Sequence, residues 1–146
     1  MSLRAGKAFL SALRSSDELK AMLGAEMEDG TLTGARIFYI ARTEADENED
    51  RIPYVIVMPG AITSEGNKDD YDAYELATVE VLIVAADGES LCDLAEKVKE
   101  TIESTLIGDD TFAFQEATYS ASAPQYDPEK PCYFLTLTYQ CSTIEL

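Results

Sequence analysis

The apolar residues of positions 89–106 recur with the period of an α-helix. Leu91, Leu94, Ala95, Val98, Ile102 and Leu106 fall at i, i+3, i+4, i+7 spacing. Glu96, Lys97, Lys99, Glu100 and Glu103 take the other side, with the like pair Glu96–Glu100 and the unlike pair Lys99–Glu103 at i,i+4. Residues 133–142 carry the other period. Tyr133, Leu135, Leu137, Tyr139 and Cys141 alternate with Phe134, Thr136, Thr138, Gln140 and Ser142, the pattern of a half-buried strand. A helix with one apolar stripe must bury it, and the apolar face of a sheet is the economical place. Together the two periods predict an α+β chain.

The rest of the chain repeats these signals. Phe9, Leu10 and Leu13 are near helical spacing, and Ser15-Ser16 before Asp17-Glu18 is an N-cap with acids in a first turn. Leu19, Met22 and Leu23 continue the stripe to a stop at Gly24, so residues 4–23 read as two short helices or one kinked helix. Gly30 and Gly34 bracket a turn-rich connection. Residues 36–41 are the first predicted strand, and residues 53–58 the second, with Pro53 at its first position. The unbroken apolarity of Tyr54-Val55-Ile56-Val57-Met58 predicts burial on both faces. Residues 59–73 read as a long polar loop and 74–85 as the third strand. In that strand Val79, Val81 and Ile83 share one face, while Thr78, Glu80, Leu82 and Val84 share the other. A fourth strand is expected over 112–119, and Pro124, Pro128 and Pro131 punctuate a turn region. The order α-β-β-β-α-β-β implies an antiparallel or mixed sheet of about five strands with two helices packed on one face. With 146 residues the chain fits a single domain, 1–146, that buries roughly 68–70% of its unfolded surface.

Charge narrows the partners. Eleven Lys and Arg against 28 Asp and Glu leave a net charge of −17. Such a surface does not neutralise phosphates and disfavours anionic membranes. It suits solubility, and equally a surface that nucleic acid passes without sticking. No signal segment or membrane span is apparent, so a cytoplasmic compartment is the default. Cys92, Cys132 and Cys141 have no framework spacing and form no CxxC pair.

No constellation reads as catalytic. Histidine is absent, which removes the commonest general base and zinc ligand, so no Cys-His pair exists to make a thiolate of Cys132. Cys132, beside Pro131 at a strand start, reads as a small apolar filler. Asp46-x-Asn48-x-Asp50 opens like a calcium loop, but Arg51 stands where glycine is needed and Val57 where a bidentate Glu belongs. Asp69, Asp70 and Asp72 form a second acidic cluster beside Tyr71 and Tyr74, which reads as a contact loop rather than a paired-carboxylate site. Gly30-Thr31-Leu32-Thr33-Gly34 lacks the Lys and the preceding strand of a phosphate loop and reads as a turn. The expectation is no enzyme, no cofactor and no metal.

Several segments, in this order, resemble the phage tail-terminator and tail-completion (minor tail protein) family. They are Gly34-Ala35-Arg36-Ile37 before an acidic loop, Pro53-Tyr54-Val55-Ile56-Val57, a variable polar loop, and Val79-Glu80-Val81-Leu82-Ile83-Val84 leading into the helix from Ser90 to Leu106. The resemblance runs from the N-terminal helix through Leu106. It implies a sheet with two helices on one face. It further implies a homo-oligomeric ring, commonly a hexamer, that caps the tail tube and joins it to the neck. The partners would be other copies of the chain and the tail-tube and neck proteins. The place would be the virion tail, after assembly in the bacterial cytoplasm. The alternative is a small ligand- or protein-binding accessory domain without catalysis. The contact residues expected for assembly are Tyr71, Tyr74, Glu80, Leu82 and Val84, because a strand face mixing Leu and Val with Glu suits a subunit contact with a polar rim.

Overall fold

The strand face formed by Val79, Val81 and Ile83 organises the whole molecule. A computed structural model describes residues 4–43, 51–65, 74–105 and 112–145. In chain order it contains α1 (Arg4–Arg14), α2 (Asp17–Met22), β1 (Glu26–Glu28), β2 (Thr31–Thr33), β3 (Ile37–Tyr39), β4 (Tyr54–Glu65), β5 (Tyr74–Ala85), α3 (Gly88–Thr105), β6 (Phe112–Ala121), β7 (Gln125–Asp127) and β8 (Cys132–Glu145). The main sheet has the order β3-β4-β5-β8-β6, with β7 also pairing β8, and β1 and β2 form a separate hairpin. β3 runs parallel to β4 and the other pairings are antiparallel, so the sheet is mixed.

The last strand does not lie at an edge. β8 sits between β5 and β6 and is antiparallel to both, so β5 and β6 are parallel to each other. A parallel relation requires a crossover, which here contains α3.

Register sets the core. Val55, Ile83 and Leu135 form one row across β4, β5 and β8; Val57, Val81 and Leu137 form the next; Val79 and Tyr139 pair in the third. All are buried in one cluster with Phe9 and Leu13 of α1, Leu19 and Leu23 from the α2 region, and Leu91, Leu94, Val98 and Ile102 of α3. The helical stripes therefore share one sheet face, as their periodicity predicts. Phe9 meets Tyr139 edge-on, ring centroids 5.1 Å apart. Gly6 lets α1 settle close: a Cβ there would lie 3.2 Å from Pro59 Cβ and 3.3 Å from the Tyr39 hydroxyl.

Local chemistry places the helix ends. α1 and α2 are two helices, divided where Ser16 Oγ accepts a 3.2 Å bond from Leu19 N. Leu23 caps α2, Ala25 N donates to Lys20 O, and Gly24 follows the cap at φ +82. The start of α3 is capped by Asp87, whose carboxylate accepts from Ser90 N at 2.7 Å and Ser90 Oγ at 3.0 Å. Those bonds hold the Asp87 carboxyl below its ordinary range. Lys97 of α3 bonds Glu18 of α2, which lowers the Glu18 pKa and raises that of Lys97.

Three sequence expectations change. Residues 59–73 are not wholly loop, because β4 continues to Glu65, with an irregularity between Pro59 and Ile62. Val55 N donates to Arg36 O and Val57 O accepts from Ile40 N, so alternate backbone groups of β4, and by alternation the Pro59 nitrogen, point toward β3. β3 ends at Tyr39, paired with Val57, so the absent N–H of Pro59 costs no ladder bond. At Gly60 a Cβ would lie 2.9 Å from Thr78 O, so glycine allows the strands to close at this irregularity. Second, the connection between Gly30 and Gly34 is not all turn, since Thr31–Thr33 is β2. Third, the proline-punctuated turn region contains the short strand β7. The acidic stretches 44–50 and 69–72 lie outside the described residues.

Candidate assembly surface

The second face of the main sheet receives none of the helical stripes. Its rows are Tyr54–Val84–Phe134–Gln125, then Ile56–Leu82–Thr136, then Met58–Glu80–Thr138–Ser120, and then Thr78–Gln140–Thr118. The face therefore grades from apolar at the end where β8 begins to polar at the other. Ile56 and Val84 are buried, at 8% and 3% exposure, yet neither belongs to the core cluster on the helical side. Leu82, Tyr54, Phe134 and Met58 remain half-exposed. Burial of residues 54–58 on both faces, expected from their apolarity, is thus complete on the helical side and partial on the open side.

At its apolar end this face deepens into a groove of about 380 Å³, with Tyr54, Leu82, Val84 and Phe134 forming much of its wall. Arg42, Lys130 and Asp127 are the charged residues that line it. Arg42 stacks its guanidinium 4.3 Å above the Tyr54 ring. Asp127 Oδ1 accepts from the amides of Glu129, at 3.0 Å, and Lys130, at 3.5 Å. Cys132, read from the sequence as an apolar filler, opens β8 and lines this groove while half-exposed.

Of the five residues expected to make contacts, Glu80, Leu82 and Val84 share this face. Leu82 and Val84 line the groove, and Glu80 stands in the polar half. Tyr74 begins β5, paired with Glu65. Tyr71 lies outside the described residues. The sequence reading missed Tyr54 and Phe134 as partners of that face, since register across three strands is needed to place them beside Val84.

It also missed the β1–β2 hairpin, although Asp29-Gly30 is the strongest short-range hairpin signal. Both turn residues have positive φ, 51° and 81°, as a type I′ turn requires. The hairpin stands apart from the main sheet with Met27 68% exposed. Ile40, just past β3, is 59% exposed and held at φ 72°, a costly conformation for a β-branched residue. Among the described residues, no group of three or more His, Cys, Asp or Glu is placed to hold a metal ion, and no helix is long and apolar enough to cross a membrane.

The fold defines an α+β chain with a one-sided helical layer. A chain in the solved virion of a native gene transfer agent (GTA) particle is similar to it, with a TM-score of 0.54. The match covers 97% of this chain and 94% of that chain at 14% sequence identity, so the likeness is one of fold. No protein-family model and no curated protein matches the sequence.

Proposed function

We propose that the chain is a non-enzymatic structural subunit of a phage or phage-like tail, a tail-terminator or tail-completion protein that caps the tail tube as a ring and joins it to the neck. The observation that carries this reading is the end-to-end fold likeness to a chain of a virion particle. Two features support it. Among the described residues no second layer covers the sheet's open face, where Tyr54, Leu82 and Phe134 stay half-exposed, as on a surface whose covering layer comes from another subunit. The charge of −17 suits a bore that DNA traverses without binding. Leu82, Val84 and Glu80, with Tyr71 and Tyr74 nearby in the chain, are the proposed contact residues.

The test adds the purified protein to tail tubes of the phage or prophage that encodes it, with negative-stain imaging of the tube ends. Wild type is expected to cap the ends as a ring and stop elongation, and Leu82→Asp to leave them bare. If wild type never binds a tube end, the terminator reading fails. If both variants bind equally, the open face is the wrong surface.

A further inference from the structure

We infer that neighbouring copies join by inserting the β1–β2 hairpin of one into the open-face groove of the next. This rests on the reading that the chain assembles with itself. The hairpin is an arm. Each of its strands has three residues, and only Leu32 among those six is even half-buried. So small a two-stranded element buries almost nothing within its own chain, and isolated hairpins are marginal in water. Met27 and Leu32 are register partners, so they project from the same face, with Met27 outermost. Glu26, Glu28 and Asp29 surround Met27 with three acids in eight residues.

The groove is its complement. Its wall is Tyr54, Leu82, Val84 and Phe134, and methionine is the side chain best able to fill an irregular apolar gap. Arg42 and Lys130 line it beside Asp127, so cations outnumber acids there two to one in a chain with only 11 cations against 28 acids. In a molecule this acidic, most of the surface repels an acidic arm, and this groove is a place where cations flank apolar surface. Hairpin and groove are different parts of the chain, so the contact is heterologous. Repeated, it closes into a ring when the rotation permits and otherwise runs on as a filament.

Cys132 makes the test direct. In a Cys92→Ser, Cys141→Ser background, Met27→Cys leaves one cysteine on the arm and one in the groove. Assembly on tail tubes followed by mild oxidation is expected to give a ladder of disulfide-linked oligomers on a non-reducing gel. Adding Cys132→Ser should abolish it, since the bond forms only when the two Cα atoms come within about 7 Å. Met27 is 68% exposed, so its replacement does not threaten the fold. A second arm uses charge. Glu26→Lys with Glu28→Lys should prevent assembly, and adding Arg42→Glu with Lys130→Glu should restore it. Rings that assemble without the Cys132-dependent ladder overturn the hairpin contact and leave the terminator reading standing. No self-assembly, on tubes or off them, overturns both.

Discussion

Residues 82 and 83 are adjacent on β5 and point to opposite faces of the sheet, so substituting them separates folding from assembly. Ile83 is fully buried, in register with Val55 and Leu135 beneath the helices. Ile83→Ala removes buried carbon atoms and leaves a cavity in a close-packed cluster, a cost of about 2–5 kcal/mol. Taking about 3 kcal/mol, and an unfolding entropy of about 2.1 cal/mol/K per residue, the melting temperature should fall by roughly 10 °C. Leu82 is half-exposed on the open face, so Leu82→Asp gives up only part of a side chain's burial and opens no core cavity. Its cost should stay near 1 kcal/mol, about 3 °C. The assay is urea unfolding followed by far-UV circular dichroism, where a shifted midpoint at unchanged slope reports stability alone. Tail-tube capping is then scored on each variant at a temperature where both are folded. Ile83→Ala should be unstable yet able to cap when folded, and Leu82→Asp stable yet unable to. Equal loss of stability from the two would show the open face to be as covered as the helical one, and the argument for a missing layer would collapse.

Two further outcomes follow from the surface details. Gly24→Ala places a Cβ at φ +82, where it overlaps the Arg36 guanidinium that donates to Pro53 O at 2.8 Å and Ile52 O at 3.3 Å. The strained backbone and the displaced arginine together should cost about 2–4 kcal/mol, measured by chemical denaturation, and a neutral result would refute the role given to Arg36. Acid should weaken the link between α2 and α3 and the cap of α3. Glu18 and Asp87 both have lowered pKa values when folded, so their contribution is full above the ordinary 4.5 and 3.8 and is lost as pH falls through the lower folded values. Lys97 has a raised pKa, so its contribution is full below the ordinary 10.5 and is lost as pH climbs through the higher folded value. The stability difference between wild type and Glu18→Gln should be constant across neutral pH and shrink below 4.5, and a difference that grows in acid would reverse the assignment.

Much of the fold is legible in the sequence because its signals are local. The stripe Leu91, Leu94, Val98, Ile102 needs only the 3.6-residue repeat, and the alternation through Tyr133, Leu135, Leu137 and Tyr139 only the two-residue repeat. Ser16 before Asp17-Glu18 marks a helix start by its own side-chain chemistry. From these, two helical segments and one buried sheet face follow by the need to bury apolar surface. The Asp87 cap and the Asp29-Gly30 turn carry equally local signals and were available to the same reasoning.

What only the tertiary structure decides is pairing at a distance. Nothing within residues 132–145 says that this strand inserts between β5 and β6, because hydrogen-bonded neighbours are chosen by the whole sheet and not by any one strand. That insertion puts Phe134 beside Val84, and β4 on the other side puts Tyr54 there too, which makes a groove from three segments far apart in sequence. Apolarity along 54–58 is visible in the chain, but its two-sided burial is not a property of the chain alone. The helices have enough apolar surface to cover one face, and the other keeps its half-exposed leucine and aromatics because no second layer among the described residues takes them.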